Sequence, residues 1–237
     1  MSSYMQSVLI GLVAGAIGYL MVTFWFHPVL RASKPVCKKR CKEDRGLSST
    51  PKVMDRQNEL TSHLFRLVHL ARSVEMKRAL TRVDPEPHLN FWRLIHGNQL
   101  DIAVLEWCKV FGSDGEATHW KTIVPPANHH QFRDALFTAA GVTVEEWAAY
   151  WKEMKAYRDN LIAHHIEMNR VPNYPMLDIA LKSSYFYYSY VIKELRLLGE
   201  MRFPDDLQVY CEAFEIQVRE IAATAIASTA AIEERAY

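Results

Sequence analysis

The chain has 237 residues, with 28 basic and 27 acidic side chains, a formal charge of +1 and 49% hydrophobic residues. The charge is unevenly spread: residues 1–50 hold 7 basic and 2 acidic side chains, and the rest of the chain holds 21 basic and 25 acidic. That acidic balance excludes a general nucleic-acid binder, whose surface is basic, and leaves any RNA site as a local patch.

The first element in chain order is Val8–Phe26, 19 residues without a charge. At about 1.5 Å rise per residue, a helix of this length crosses roughly 30 Å of hydrocarbon. No Lys or Arg precedes it, and it ends in Phe24-Trp25-Phe26-His27-Pro28, an aromatic belt rather than a small-residue cleavage site. The run predicts a single transmembrane anchor over residues 1–30. Arg31, Lys34, Lys38, Lys39, Arg40, Lys42 and Arg45 follow it. The positive-inside rule then places the C-terminal part in the cytoplasm, with the anchor in the inner or plasma membrane. Residues 31–51 read as a basic linker attracted to anionic lipid head groups. Gly11 and Gly15 have the small-residue spacing that lets two membrane helices approach. Cys37 and Cys41 are spaced like half of a metal site, but no second pair of Cys or His completes it. A cytoplasmic setting keeps the chain's four cysteines reduced. No metal and no cofactor is expected.

Residues 52–237 suit one domain of helical texture. From Lys52 to Arg82, an apolar stripe runs through Val53, Leu60, Leu64, Leu67, Val68, Ala71 and Val74. Pro85 and Pro87 break it. A second helix is expected from His88 to Phe111, ended by Gly112-Ser113-Asp114-Gly115. After a short segment at His119-Trp120 and a turn at Pro125-Pro126, a short helix spans Asn128 to Ala140 and stops at Gly141. Thr143-Val144-Glu145-Glu146 is a capping box, opening a helix through Trp147, Trp151, Met154 and Leu161 to about His165. Met176–Leu198 and Pro204–Ile232 are two more long helices. No strand-like alternation persists, so the domain is all-α. The run Tyr185-Phe186-Tyr187-Tyr188-Tyr190 reads as core and helix-packing surface.

The end of the capped helix carries Tyr157-Arg158-Asp159-Asn160-Leu161-Ile162-Ala163-His164-His165. An arginine followed after four to six residues by a histidine is a weak pattern in a chain with 16 arginines and 10 histidines. Arg56 with His63 and Arg82 with His88 match it too, the first on a plain amphipathic helix, the second across prolines. Arg158 differs in context: a tyrosine precedes it, and an acidic residue, an apolar pair and Ala163-His164 follow. In that context the segment resembles the HEPN superfamily of helical domains, whose branches include ribonuclease toxins and abortive-infection proteins. The stretches from Phe91 to Asn98 and from Glu106 to Ser113 are similar to the abortive-infection branch. The expected architecture is thus an all-α, HEPN-like helical bundle preceded by a single transmembrane helix.

RNA carries its own nucleophile, the 2′-OH. Histidine suits proton transfer because its reference pKa of about 6.5 lies near working pH. Arginine suits a developing phosphorane because its planar fork stays charged and can hold two oxygens. The resemblance implies a metal-independent endoribonuclease whose two copies face each other across a homodimer. Arg158 would hold the phosphate, His164 would move the proton, and Asp159 would orient the histidine or pair with Arg158. On an ideal α-helix, at about 100° per residue, His165 lies nearer the face of Arg158 than His164 does. By the pattern of the family His164 is the match, and His165 is held in reserve. An RNA substrate, a second copy of the chain and an antitoxin or regulatory protein are the partners so implied, beside membrane lipid through the N-terminal helix. The structural alternatives are a surface ion pair at Arg158-Asp159 and a helix C-terminus that favours histidine. His129-His130 point to different faces and lack a carboxylate at metal-ligand spacing. The rival function is a non-catalytic HEPN-like module that binds a nucleotide or protein at the membrane.

Overall fold

The computed structural model describes residues 51–84, 88–163 and 174–234. Among these residues there are six α-helices and no strand. They are α1 (Pro51–Thr81), α2 (Asn90–Trp107), α3 (His129–Ala140), α4 (Val144–Tyr157), α5 (Asp178–Leu197) and α6 (Leu207–Thr229). The expected all-α texture is therefore observed. The expectation of a bundle preceded by a transmembrane helix is corrected: among the described residues no helix is long and apolar enough to cross a membrane. The run Val8–Phe26, on which the span was placed, lies outside the described residues, as do Cys37 and Cys41.

The organising element is α1, which packs against α2, α5 and α6, while α3 packs on α5. A helix with three neighbours must be apolar around much of its circumference. Accordingly Leu60, Leu64, Leu67, Leu70, Ala71 and Val74 are buried on more than one face of α1. A smaller apolar cluster joins the end of α1 to the start of α2 and the end of α6, through Leu80, Val83, Leu89, Trp92, Ala222 and Ile226.

Local signals set several boundaries. Gly141, at φ 71°, ends α3 in the left-handed conformation, and Val142 N–H donates to the Phe137 carbonyl at 3.1 Å. The capping box at α4 is complete: Glu146 N–H donates to Thr143 Oγ1 at 3.2 Å, and Thr143 N–H donates to Glu146 Oε2 at 2.8 Å. Asp206 caps α6 by accepting from the backbone N–H groups of Gln208 and Val209.

Two of the expected α-helices change their winding near the end. After Trp107 the chain enters a π turn, Cys108–Gly112, and after Tyr157 another, Arg158–Ala163. A π turn bonds residue i to i+5 and holds more residues than an α turn, often near a functional site. The first lets Trp107, Cys108, Val110, Phe111 and Gly112 all be buried, a band wider than an α-helical stripe.

Trp107 is the centre of the core. It is fully buried, its ring lies 5.6 Å from those of Phe111 and Trp147 and 5.4 Å from Tyr150, and its indole N–H donates to Ser183 Oγ at 3.2 Å. Tyr187 and Tyr188 are fully buried from α5, so the tyrosine run is packing surface. Trp107→Ala is expected to cost about 3–5 kcal/mol, read as a fall in the urea midpoint at unchanged slope. A midpoint that stays put would contradict this placement of the core.

Candidate active site

Arg158 opens the second π turn, at the C-cap of α4. The preceding residue fixes where it emerges. Tyr157 is buried, and its hydroxyl donates to Asp101 Oδ1 on α2 at 2.8 Å. Burial, followed by that hydrogen bond, holds the phenol protonated well above its ordinary range. The Tyr157 ring also meets Tyr174 edge-on, with centroids 6.2 Å apart.

The Arg158 side chain is 20% exposed and lies beside the first π turn. A Cβ added at Gly112 would sit 3.8 Å from its Nη1 and 3.4 Å from the Cys108 Cβ. Glycine thus leaves the space that a larger side chain would take from the guanidinium. Arg158 Nε donates to Asp159 Oδ1 at 2.8 Å. That bond, rather than burial, dominates its titration and pushes the guanidinium pKa further up. Its two terminal nitrogens make no hydrogen bond to any described residue. The site therefore holds a fixed cation, tied at one edge and with its other donors unfilled within the described chain.

Beneath it, Cys108 is buried and its thiol donates to the Met154 carbonyl at 3.7 Å. Burial pushes this thiol up to about 11 even though Arg158 draws it down. A thiol so protonated is a poor nucleophile. Trp151 ties α4 to the first π turn. Its indole N–H is shared between the carbonyls of Phe111, at 3.0 Å, and Gly112, at 2.8 Å. Lys155 lies over the Trp151 ring, its Nζ 4.3 Å from the centroid.

His164 and His165 lie outside the described residues. The rotation per residue that favoured His165 belongs to an α-helix and does not carry across the π turn Arg158–Ala163. The single α-helix expected from Thr143 to about His165 is thus corrected to an α-helix ending at Tyr157, followed by a π turn over Arg158–Ala163.

The two decoy arginines have structural roles. Arg56 donates to the Ile123 carbonyl at 2.8 Å, and Arg82 to Glu215 Oε1 at 2.8 Å. His63 belongs to a buried network: its Nδ1 lies 2.9 Å from the Tyr187 hydroxyl and its Nε2 lies 3.3 Å from Thr122 Oγ1. Nearby His119 is buried as well, its Nδ1 accepting from Lys121 N–H at 3.3 Å and its Nε2 lying 3.4 Å from Asp114 Oδ1. Burial lowers both imidazoles to about 4, the nearby Asp114 failing to offset it at His119. They hold the connection between α2 and α3 and are too poorly basic for proton transfer near neutrality. Of the other histidine pair, His129 Nε2 lies 2.8 Å from the Val124 carbonyl, and exposed His130 pairs with Asp134 on its own helix. Among the described residues no cluster of His, Cys, Asp and Glu could hold a metal ion.

Sequence reasoning missed Asp101, Gly112 and Trp151. Each acts on a residue some 40 or more positions away, and no short-range spacing announces that. Sequence reasoning missed Lys155 as well, although helical spacing, three positions before Arg158 and four after Trp151, was a signal that could have found it. No family model matches the chain, and neither a curated protein nor a solved structure matches it.

Proposed function

We propose that this chain is a metal-independent endoribonuclease of the HEPN type, acting as a homodimer. The observation that carries the reading is Arg158. A mostly buried guanidinium, oriented by Asp159, keeps its two terminal nitrogens for a ligand. Two such donors match two oxygens of a phosphodiester in a bidentate grip. The order of residues from Tyr157 to His165 supplies the rest.

In this reading His164, or His165 in its place, takes the proton from the 2′-OH. The 2′-oxygen then bonds to phosphorus, and the bond from phosphorus to the 5′-oxygen breaks. The leaving 5′-oxygen takes up a proton, which in this reading a histidine of the second copy gives. The products are a 2′,3′-cyclic phosphate and a 5′-OH. Arg158 stabilises the charge that gathers on the phosphorane oxygens. Full-length protein incubated with total RNA tests it, beside His164→Ala, His165→Ala and the double variant. Cleavage by the wild type, lost in the double variant and in the single variant that removes the working base, is expected. Undiminished cleavage by the double variant would refute the assignment.

A second reading is favoured by the acidic surplus of residues 51–237, with 25 acidic and 21 basic side chains. It makes the protein a non-catalytic module whose Arg158 binds a nucleotide or an acidic segment of a partner. A folded protein that retains nucleotide and cleaves no RNA would select it.

A further inference from the structure

We propose that Lys155 is a second phosphate contact, which grips the phosphodiester next to the one held by Arg158 and so makes the site one for a single-stranded RNA segment rather than for an isolated linkage. The inference rests on the ribonuclease reading of Arg158.

Three observations support it. Lys155 and Arg158 are three positions apart at the end of one helix, and residues at that spacing stand about 5–6 Å apart at Cβ on one face. Consecutive phosphates of a single strand span a distance of that order. Both also lie beside Gly112: Trp151, which carries the Lys155 ammonium, donates to its carbonyl at 2.8 Å, and a Cβ added there would sit 3.8 Å from Arg158 Nη1. They therefore act on the same small region of surface.

The second observation is that Lys155 is held in place. Its ammonium rests over Trp151, 4.3 Å from the ring centroid. The ring itself cannot turn without losing its bonds to the carbonyls of Phe111 and Gly112. A flexible lysine is thereby given a fixed direction before any ligand arrives, which lowers the entropy lost on binding.

The third observation is the lack of an acidic partner. Among the described residues Lys155 makes no ion pair, whereas Lys109 and Lys121 pair with Glu106 and Asp114. Asp159 is already engaged by Arg158. Among the described residues Lys155 is thus a positive charge held near the fixed guanidinium with no acidic partner. It touches no reacting atom in this scheme; it positions the strand.

The test compares the full-length wild type with Lys155→Gln, which keeps an aliphatic stem over Trp151 while removing the charge. Two substrates are used, a dinucleoside monophosphate with one phosphodiester and a hexanucleotide with five. The expected result is a KM for the hexanucleotide raised at least about fivefold with kcat unchanged, and a kcat/KM for the dinucleotide equal to that of the wild type. The slope of log KM against log salt for the hexanucleotide should also fall by about 0.7, the share of one lost phosphate contact to a single strand. Equal kinetics on the hexanucleotide would overturn the proposal. So would an equal loss on both substrates, which marks Lys155 as support for the fold or for Arg158. A wild type that cleaves neither substrate overturns the ribonuclease reading and this inference with it. Cleavage with an unchanged salt slope overturns this inference alone.

Discussion

Arg158→Ala should lose RNA cleavage by a factor of about 10²–10³ or more, the usual effect of removing one donor to a charge that develops in the transition state. Arg158→Lys should recover only part of it, because an ammonium keeps the charge without the two-pronged geometry. The fold should survive both changes. The Arg158–Asp159 pair is partly exposed, and pairs of this kind contribute about 0–1 kcal/mol. The melting temperature should therefore shift little while activity falls. Arg133→Ala, at an exposed position of α3, serves as the control and should leave cleavage unchanged. Activity in Arg158→Ala within a few-fold of the wild type would remove the residue from the site. A large fall in melting temperature would instead assign it to structure.

The protein should lose stability steeply as pH falls below about 6.5. His63 and His119 are buried and neutral in the folded state, with pKa values pulled down to about 4 by burial. In the unfolded chain the same groups titrate near 6.5. Between those values the unfolded state binds more protons, so stability rises with pH across the window. The contribution is fully present above 6.5 and is lost progressively as pH falls to about 4. At about 1.4 kcal/mol per pKa unit, each histidine costs roughly 3 kcal/mol at the acid limit. Together they would remove a large part of a typical domain's 5–15 kcal/mol. Urea midpoints measured between pH 7.5 and 4.5 should fall accordingly. His63→Gln, less stable than the wild type at neutral pH, should show a shallower pH slope. Midpoints that stay level from pH 7.5 to 5 would contradict the buried neutral state of these side chains.

The parts of the fold that a sequence reader can reach are those fixed by nearby residues. Thr143 with Glu146 and Gly141 each act within a few positions, and each sets a helix boundary where expected. The stripe of α1 is legible because its burial follows the α-helical period. The π turns are not legible, since the hydrogen-bond shift that makes them leaves no period in so short a segment. The first arises where Trp107, Val110 and Phe111 compete for one core, and where Trp151 stands ready to take the carbonyls of Phe111 and Gly112. Arg158 was found from its neighbours in sequence, but its surroundings were not. Asp101 is 56 positions from Tyr157, and no spacing rule links them. His63 shows the converse: it matched an arginine–histidine spacing, yet its partners Tyr187 and Thr122 place it in the core.

The most direct test of the central claim uses one RNA strand and its all-2′-deoxy counterpart, each incubated with the full-length protein in excess EDTA. The account predicts cleavage of the RNA strand alone, with a 2′,3′-cyclic phosphate on one product and a 5′-OH on the other. Equal cleavage of both strands, 5′-phosphate ends, or activity that appears only when a divalent metal is restored would contradict it.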